Sequence, residues 1–494
     1  MKAGFATADI TPALGMEAPG GYLKAHVQRI HDPLKVRAAV LDDGQVLLAF
    51  VGVDTCMLTD RDLIARARAE VERRCGIPGD QILIAASHTH SGGPAAGIST
   101  GETSGAPPRV RELLEQHSIA ADPLYAGWVE RGIVTAVCEA HRRREEALLS
   151  AGSGHEDQVA FNRRFRMANG RVYTHPGKGN PEIVAPAGPT DPEVGVLAAW
   201  AAGRGSGADA SGWGSREELP LLGCIVNYAC HATTFSGGVS ADFIAYLERT
   251  VQGAMGGEPV VLFLPGAAGD VTQVDNCSLR EREFGARWSR FVGTRIGAEA
   301  VKVLVTAAPG ELAPLAAATE TLRIPRRAPS AARLAASREI VAAGLESGDR
   351  SAAWTFAKEI LILEHLIARE PEVPVPVQAL QVGPALFLAN PAEFFSESGL
   401  AIKAGSPFPL TWVVTLANGC VGYVPPAAAF GPDGGGYETV LTSYSNLDLS
   451  AERRIVDASL ALARGLIPGA LPPPPQVEAP GRPWQYGVLG PDVE

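Results

Sequence analysis

Residues 81–94 have the sequence QILIAASHTHSGGP, in which an apolar run ends at two histidines and a glycine-rich turn. The apolar run has the length of a buried β-strand, and the reactive side chains of α/β proteins commonly follow such strands. Because alternate residues of an extended chain point to the same side, His88 and His90 can face one site. Histidine is the commonest metal ligand, for zinc as for other ions. The motif therefore predicts either a metal site or a pair of hydrogen-bonded structural histidines.

Strand-like and helix-like segments alternate along the chain on both sides of this motif. Residues 36–41 and 45–53 predict two strands joined by a turn at 42–44, and helices are expected over about 60–75 and 123–146. Further strands are predicted at 221–228, 259–264, 379–388 and 410–416. This alternation predicts the α/β class, with a mixed β-sheet core and flanking helices.

The chain is expected to form one large catalytic domain over residues 1–470. Within it, residues 328–370 are rich in Ala, Glu, Arg and Leu at helical spacing and are interrupted at Gly348, which predicts an inserted helical hairpin. Residues 203–216 are rich in glycine, serine and charge and predict a surface loop. Residues 471–494 begin with a run of prolines and predict an extended tail.

The composition excludes several classes of function. A formal net charge of −11 disfavours a nucleic-acid partner, since the basic run at 141–144 is followed at once by Glu145 and Glu146. Apolar windows long enough to span a bilayer are absent from the sequence, so stable membrane insertion is not expected. The seven scattered cysteines include no C-x-x-C pair, which predicts neither a disulfide framework nor an all-cysteine metal site. With no signal peptide recognisable at the start, a cytoplasmic location is expected.

Three more segments carry polar residues at the point where an apolar run ends and a Gly/Pro turn begins. His231 follows the run at 221–226 and is either a ligand or a satisfied interior histidine. Glu393 follows the run at 385–388 and lies beside two phenylalanines, so its carboxylate needs a cation, a helix N-terminus or a metal. Tyr423 and Tyr437 lie in glycine-rich turns, although tyrosine is an uncommon metal ligand. Their shared context suggests one site.

Several short motifs occur in an order that resembles the neutral/alkaline non-lysosomal ceramidase family. They span about residues 5–440 and are ADITP at 8–12, HDPL at 31–34 with Arg37, SHTHSG at 87–92, NR at 162–163, NYACH at 227–231, GDV at 269–271, NPAEF at 390–394 and GYVP at 422–425. The resemblance implies a neutral-ceramidase-like catalytic domain. It also implies one Zn²⁺ whose ligands are His88, His231, Glu393 and Tyr423.

The same resemblance implies roles for neighbouring residues. His90 is expected to contact the substrate or the developing oxyanion, with Arg163 and Tyr437 as further active-site residues. Glu393 or a nearby group would relay the proton while zinc-activated water cleaves an amide bond. Cys420 stands where an aromatic residue is expected, and Gly93 enlarges the turn after the histidines. The resemblance does not imply ceramide itself as the substrate, because lipid specificity depends on the pocket rim and on membrane access.

The leading prediction is a zinc-dependent hydrolase that cleaves the amide bond of an N-acylated small molecule or lipid. An esterase, a lactonase or a lyase acting on a small carbonyl compound would use the same metal, and a non-catalytic, metal-stabilised binding protein is a third alternative. A serine nucleophile is disfavoured because Ser87 and Ser91 lack an identifiable base and orienting group beyond the histidines already assigned. The sequence leaves a monomer and a homo-oligomer equally open.

Overall fold

The computed structural model describes residues 1–98, 100–202, 219–235, 238–281, 283–473 and 481–494. The loop expected at 203–216 lies outside these residues. The strands are β1 (Lys2–Asp9), β2 (Lys35–Asp42), β3 (Leu47–Val53), β4 (Ile82–Ala86), β5 (Glu145–His155), β6 (Phe161–Asn162), β7 (Arg164–Met167), β8 (Val172–Thr174), β9 (Ile183–Pro186), β10 (Glu193–Ala201), β11 (Leu221–Tyr228), β12 (Val260–Pro265), β13 (Val271–Thr272), β14 (Leu315–Pro325), β15 (Glu372–Val382), β16 (Ala385–Ala389), β17 (Glu393–Phe394), β18 (Leu410–Val414) and β19 (Tyr423–Val424). The helices are α1 (Arg61–Cys75), α2 (Thr100–Thr103), α3 (Pro108–His117), α4 (Pro123–Arg142), α5 (Phe243–Met255), α6 (Ala286–Thr306), α7 (Ala331–Ser347), α8 (Ala352–Arg369), α9 (Ser396–Gly405) and α10 (Ala451–Arg464).

Two mixed β-sheets form the centre of the molecule. The larger has the order β12-β11-β10-β5-β1-β2-β3-β4, and the smaller has the order β14-β15-β16-β18. Neighbouring strands are antiparallel except β3 with β4, β11 with β12 and β16 with β18, which are parallel. This arrangement confirms the predicted α/β class and its mixed sheet core.

The two sheets pack face to face, with helices on the outside of each. Alternation along β3 shows why: Leu48 and Phe50 point into the core between the sheets, whereas Ala49 and Val51 point toward α1 and α4. Helices α5 and α6 cover the other half of the large sheet, and α9 and α10 cover the small one. The result is four layers, helix–sheet–sheet–helix.

The large sheet coils until its two ends approach each other. Strands β1 and β5 share only two residue pairs, which forms a corner, and β12 returns to contact β2, β3 and β4. This close approach requires Gly52, because a Cβ atom there would lie 2.8 Å from the carbonyl oxygen of Phe263. The coiling therefore brings the carboxyl ends of β4 and β11 to one place.

The predicted elements are confirmed with two corrections. Helix α4 starts with Asp122 as its N-cap and Pro123 in its first turn, but it ends at Arg142 rather than near 146. Glu145 instead begins β5, because strand pairing takes over there. The single strand predicted at 379–388 is a hairpin, in which the turn at Gly383 (φ 57°) separates β15 from β16.

The helical hairpin predicted around Gly348 is formed by α7 and α8. Ser330 and Ser351 cap the two N-termini through their side chains, and Gly348 ends α7 in the left-handed conformation at φ 76°. Gly344 lets the two helices touch, because a Cβ atom there would lie 2.0 Å from the Trp354 ring. The cysteines are all free thiols. Among the described residues, no helix combines the length and apolar character needed to cross a bilayer.

Candidate metal centre

His88 lies two residues after the end of β4, and both its backbone conformation and its ring contacts fix its position. It has φ 65°, a conformation that residues other than glycine seldom adopt. Its ring is buried, and its Nδ1 lies 2.7 Å from the carbonyl oxygen of Cys56. This carbonyl can only accept, so it selects the tautomer with the proton on Nδ1 and the lone pair on Nε2.

His231 follows β11 and is arranged in the same way. Its ring is buried, and its Nδ1 lies 2.6 Å from the carbonyl oxygen of Ala268. The two histidine segments are directly joined, since the N–H of His90 donates to the carbonyl of Ala232 at 3.1 Å. The Nε2 lone pair of His231 therefore faces the same space as that of His88.

Glu393 and Tyr423 come from a short parallel pair, β17 with β19, in which the two residues are direct partners. The Oε2 atom of Glu393 lies 3.2 Å from Nε2 of His88 and 3.0 Å from Nε2 of His231. The same Oε2 is buried and makes no hydrogen bond of good geometry, whereas Oε1 accepts from the Tyr444 hydroxyl at 2.6 Å.

These contacts can be tested against the requirements of a metal ion. Two ring nitrogens with lone pairs and one anionic oxygen converge within 4.8 Å of one another. The Nδ1 atom of each ring is hydrogen-bonded to a carbonyl oxygen, as is usual for histidines that bind a metal through Nε2. Lone pairs at this distance repel one another unless a cation or a proton lies between them. The arrangement of His88, His231 and Glu393 therefore fits a divalent metal with nitrogen and oxygen ligands.

Charge coupling among the side chains of this cluster is strong. Burial opposes protonation of His88, but the Glu393 charge together with the hydrogen bonds to Cys56 and Glu393 outweighs it and raises the pKa of His88 to about 10. Burial also opposes ionisation of Glu393, yet His88 and His231 hold the pKa of this carboxyl well below its usual range. Burial, aided by Arg163, lowers the pKa of His231 to about 4. The carboxylate of Glu393 thus attracts positive charge to this cluster.

A second group of ligand atoms overlaps the first. Cys56, His88 and His90 also bring one donor atom each within 4.8 Å. In this second group, Nδ1 of His88 is not available as a ligand atom, because it is already hydrogen-bonded to the carbonyl oxygen of Cys56. The group with Glu393 contains a carboxylate and two histidines whose Nε2 atoms are directed at it, so it is the better cation site.

Tyr423 is buried beside Arg163. The Arg163 Nη2 donates to the Tyr423 hydroxyl at 3.0 Å, and Nη1 lies 3.4 Å from Nε2 of His231. Burial raises the pKa of Tyr423 well above its ordinary value, and the Arg163 charge opposes this. Arg163 is fixed in turn by Glu438, whose Oε1 accepts from Nε at 2.6 Å. Arg163 and Tyr423 are thus both at the edge of the cluster.

His90 and Tyr437 lie on the pocket side of the cluster. The His90 Nε2 lies 3.4 Å from Nε2 of His88, and its Nδ1 lies 3.3 Å from the carbonyl oxygen of Gly20. Burial, together with the two other histidines, lowers the pKa of His90 well below its usual range. The Tyr437 hydroxyl lies 2.9 Å from that of Tyr22. Both residues therefore adjoin the cluster as neutral side chains.

Three residues of the site had no sequence signal strong enough to identify them. Tyr22 contacts Tyr437, Tyr444 donates to Glu393, and Glu438 binds Arg163. Glu438 follows Tyr437 directly and is buried. A charged residue in that glycine-rich turn is the sequence signal that could have identified it. Tyr22 lies far from the motifs in sequence.

Asp270 and Asp242 lie near the cluster and make structural contacts. Asp270 accepts from the Asn162 side chain at 2.7 Å and from the backbone N–H of Ser396 at 2.9 Å. Asp242 caps α5 and accepts from the backbone N–H of Phe235 at 2.9 Å. Both side chains tie together segments that carry the cluster.

A pocket of about 220 Å³ opens onto the cluster. His90, Glu393, Tyr423 and Tyr437 line its inner end. Arg163 and His231 do not line it, so they lie behind the residues that a bound molecule would touch. The pocket therefore gives a small molecule direct access to one side of the proposed metal position.

The chain matches no protein-family model and no curated protein. It is similar in structure to a ceramidase complexed with C2, with a TM-score of 0.66 and 19% identity, over 96% of this chain and 77% of the other. It is also similar to the neutral ceramidase from Pseudomonas aeruginosa, with a TM-score of 0.65 and 20% identity, over 96% of this chain and 76% of the other. The chain therefore has the neutral-ceramidase fold.

Proposed function

We propose that this chain is a zinc-dependent hydrolase of amide bonds. The observation that supports the proposal is the convergence of His88 and His231 on Glu393, which lines the inner end of a pocket. Zinc would be held by these three side chains and by Tyr423. Bound there, zinc would supply water ionised near neutral pH and polarisation of the substrate carbonyl.

The proton acceptor in this proposal is His90. Its Nδ1 is directed to the Gly20 carbonyl, so the lone pair is on Nε2, close to His88. Glu393 is less suited, because its Oε1 already accepts from Tyr444 and its Oε2 faces the histidines. His90 would take the proton from water and pass it to the departing amine.

Tyr437 would donate a hydrogen bond to the oxygen that becomes negative. Its hydroxyl lies beside that of Tyr22 at the pocket surface. Such a donor typically contributes about 10²–10³ in turnover. Arg163 is a positioning residue in this proposal, because its nitrogens contact Tyr423, Glu438 and the Gly269 carbonyl rather than the pocket.

Metal analysis of the purified protein tests the ligand set. We expect close to one zinc per chain, and His88→Ala and His231→Ala should each lose it. His155→Ala is the matched control, because that histidine is exposed and distant in sequence from the cluster. Full zinc occupancy in the His88→Ala, His231→Ala double variant would contradict the assignment.

Substrate panels test the reaction. Amides, esters and hydroxy acids are incubated with the zinc-loaded protein, and released amine, released alcohol or an unsaturated product is measured. The proposal expects amine release, lost in His90→Ala. Alcohol release alone would indicate an esterase or lactonase, and an unsaturated product would indicate a lyase. Stabilisation by zinc without turnover on any panel would favour a metal-stabilised binding protein.

A further inference from the structure

The outer wall of the pocket is built by α8, the second helix of the hairpin. Lys358 and Glu359 on this helix line the pocket, although both are almost completely buried. Tyr22 connects this wall to the cluster, because its carbonyl lies 3.5 Å from Nζ of Lys358 and its hydroxyl contacts Tyr437. The hairpin thus contributes charged groups to the space a substrate would occupy.

Lys358 cannot serve as a binding site for an anion. An ammonium group has three protons to donate. Its Nζ lies 2.9 Å from the carbonyl of His117, 2.9 Å from the hydroxyl of Ser118 and 3.0 Å from Oε1 of Glu359. Each proton therefore has an acceptor within the protein, so Lys358 holds Glu359 in place.

Glu359 has acceptor capacity to spare. Its Oε1 forms an ion pair with Lys358, and its Oε2 accepts from the hydroxyl of Ser443. An ionised carboxylate offers about four lone-pair sites, so two remain at a position that lines the pocket. Because Lys358 already balances the charge of Glu359, a second cation would be repelled by the ammonium group. A neutral donor, such as a hydroxyl, is the better match.

The pocket is small, and its lining mixes charged side chains with apolar ones such as Ile98, Leu366 and Val373. Its volume of about 220 Å³ is below the range of roughly 300–1,000 Å³ for sites that hold drug-sized ligands. Besides the α8 pair, Arg61, Glu102 and Arg326 line it. A long alkyl chain would remove water from these charged groups without replacing its hydrogen bonds, which is unfavourable.

We propose that Glu359 binds a hydroxyl group of a small, water-soluble amide, and that α8 thereby selects such compounds over long-chain lipid amides. The hydrolysis in this inference rests on the proposed amidase function, whereas the binding of a hydroxylated amide by Glu359 does not. The ligand class follows from the spare lone pairs of Glu359, the occupied protons of Lys358 and the size of the pocket.

The test compares amides that differ only in hydroxyl groups. The pair is N-acetyl-2-amino-1,3-propanediol and N-acetyl-isopropylamine, which share a carbon skeleton, with N-palmitoyl-2-amino-1,3-propanediol as the long-chain arm. Ligand-observed NMR on the zinc-loaded, full-length protein follows binding and hydrolysis in one tube. We expect the hydroxylated acetamide to bind about 10- to 100-fold more tightly than its deoxygenated partner, and the palmitoyl amide to bind more weakly than the acetamide.

Glu359→Gln should abolish most of this preference through the dissociation constant, or KM, and leave kcat nearly unchanged. Glu364→Gln is the matched control, because Glu364 lies on the same helix but is partly exposed and paired with Arg338. If Glu359→Gln fails to fold, Glu359→Asp keeps the charge beside Lys358 while withdrawing the acceptor, and it should also lose the preference.

The outcomes separate the two proposals. Selective binding that depends on Glu359, without amine release, supports this subsite and contradicts the amidase function. Amine release from both acetamides with equal KM, unchanged in Glu359→Gln, supports the amidase and overturns the subsite. Absence of binding by the hydroxylated acetamide, or tighter binding of the palmitoyl amide, also overturns it.

Discussion

The hydrogen bond made by Nδ1 of each ligand histidine fixes the direction of the lone pair on its Nε2 atom. Carbonyl oxygens of Cys56 and Ala268 accept from the Nδ1 atoms of His88 and His231, so both Nε2 lone pairs face inward. A neutral ring that is already oriented loses little freedom when it binds a cation. Glu393 adds the negative charge that two neutral imidazoles lack.

Tyr444 is expected to strengthen metal binding without contacting the metal. Its hydroxyl donates to Oε1 of Glu393 at 2.6 Å and thereby keeps Oε2 directed at the histidines. Loss of such a partner typically lowers metal affinity by about 10- to 100-fold. We expect Tyr444→Phe to do so in competition with a chromophoric chelator, while Tyr246→Phe on α5 retains full affinity. Equal affinities for the two variants would contradict this role.

Asp270 gives a pH-dependent contribution to stability. Burial raises the pKa of Asp270 to about 6 in the folded protein, against 3.8 for an ordinary aspartate. As the pH falls, the folded state therefore takes up this proton before the unfolded state does. Above about pH 6 the carboxyl is ionised in both states, and the full free-energy cost of burying its charge applies. That cost declines as the pH falls toward 4, and its full size is about 3 kcal/mol.

Asp270→Asn removes this titration. We expect its free energy of unfolding, relative to the native chain, to fall by up to about 3 kcal/mol between pH 8 and pH 4. Urea unfolding at both pH values measures it, with Asp433→Asn in an exposed loop as the control. A difference between Asp270→Asn and the native chain that is constant with pH would show that this carboxyl does not titrate as described.

Among the secondary-structure elements, the contact between β3 and β12 decides where the metal ligands lie. β3 is paired with β4, which leads to His88, and β12 is paired with β11, which leads to His231. Gly52 allows the carbonyl of Phe263 to approach β3 closely. Any increase in this spacing should therefore separate the two histidines.

Gly52→Ala tests this spacing. Its Cβ atom would lie 2.8 Å from the Phe263 carbonyl oxygen, so one strand must shift. Overpacking of this kind usually costs about 1–3 kcal/mol, and we expect zinc affinity to fall as well. Gly253→Ala is the control, because that helical position is exposed and open and should gain up to about 1 kcal/mol. Thermal melts with and without zinc measure both effects, and unchanged zinc affinity in Gly52→Ala would separate the site from the sheet contact.

At the scale of the whole molecule, the proposed metal would join segments far apart in the chain. His88 and His231 belong to the large sheet, whereas Glu393 follows the last residues of β16 in the small sheet. A ligand that binds only the folded protein stabilises it by an amount set by its concentration and affinity, about 2.7 kcal/mol at 100 times Kd. Zinc would therefore tie the two sheets together.

Metal removal should then lower the melting temperature. We expect a chelator to reduce the thermal midpoint, and zinc to restore it more effectively than an equal concentration of magnesium, since the site has nitrogen ligands. The His231→Ala variant should respond to neither addition. A melting temperature that is independent of chelator in the native chain would contradict a structural contribution from metal.

The sequence by itself determined the class of the fold and most of its elements. Apolar alternation and turn residues predicted β3, β4, α1 and the hairpin around Gly348, because these signals act over a few residues. Motif order supplied the likeness to neutral ceramidases that the shared fold bears out. The proposed ligands and their neighbours His90 and Tyr437 came from the same motifs, and they lie together in the structure.

Only the tertiary structure decided how these side chains work together. The lone-pair directions of His88 and His231 depend on carbonyls from other segments, and Tyr22 and Tyr444 reach the site from segments with no motif. The acceptor capacity of Glu359 likewise depends on which protons of Lys358 are already used. Most of these pairings join residues that are between 32 and 415 positions apart, and local patterns in a sequence carry no information about which distant groups packing will bring into contact.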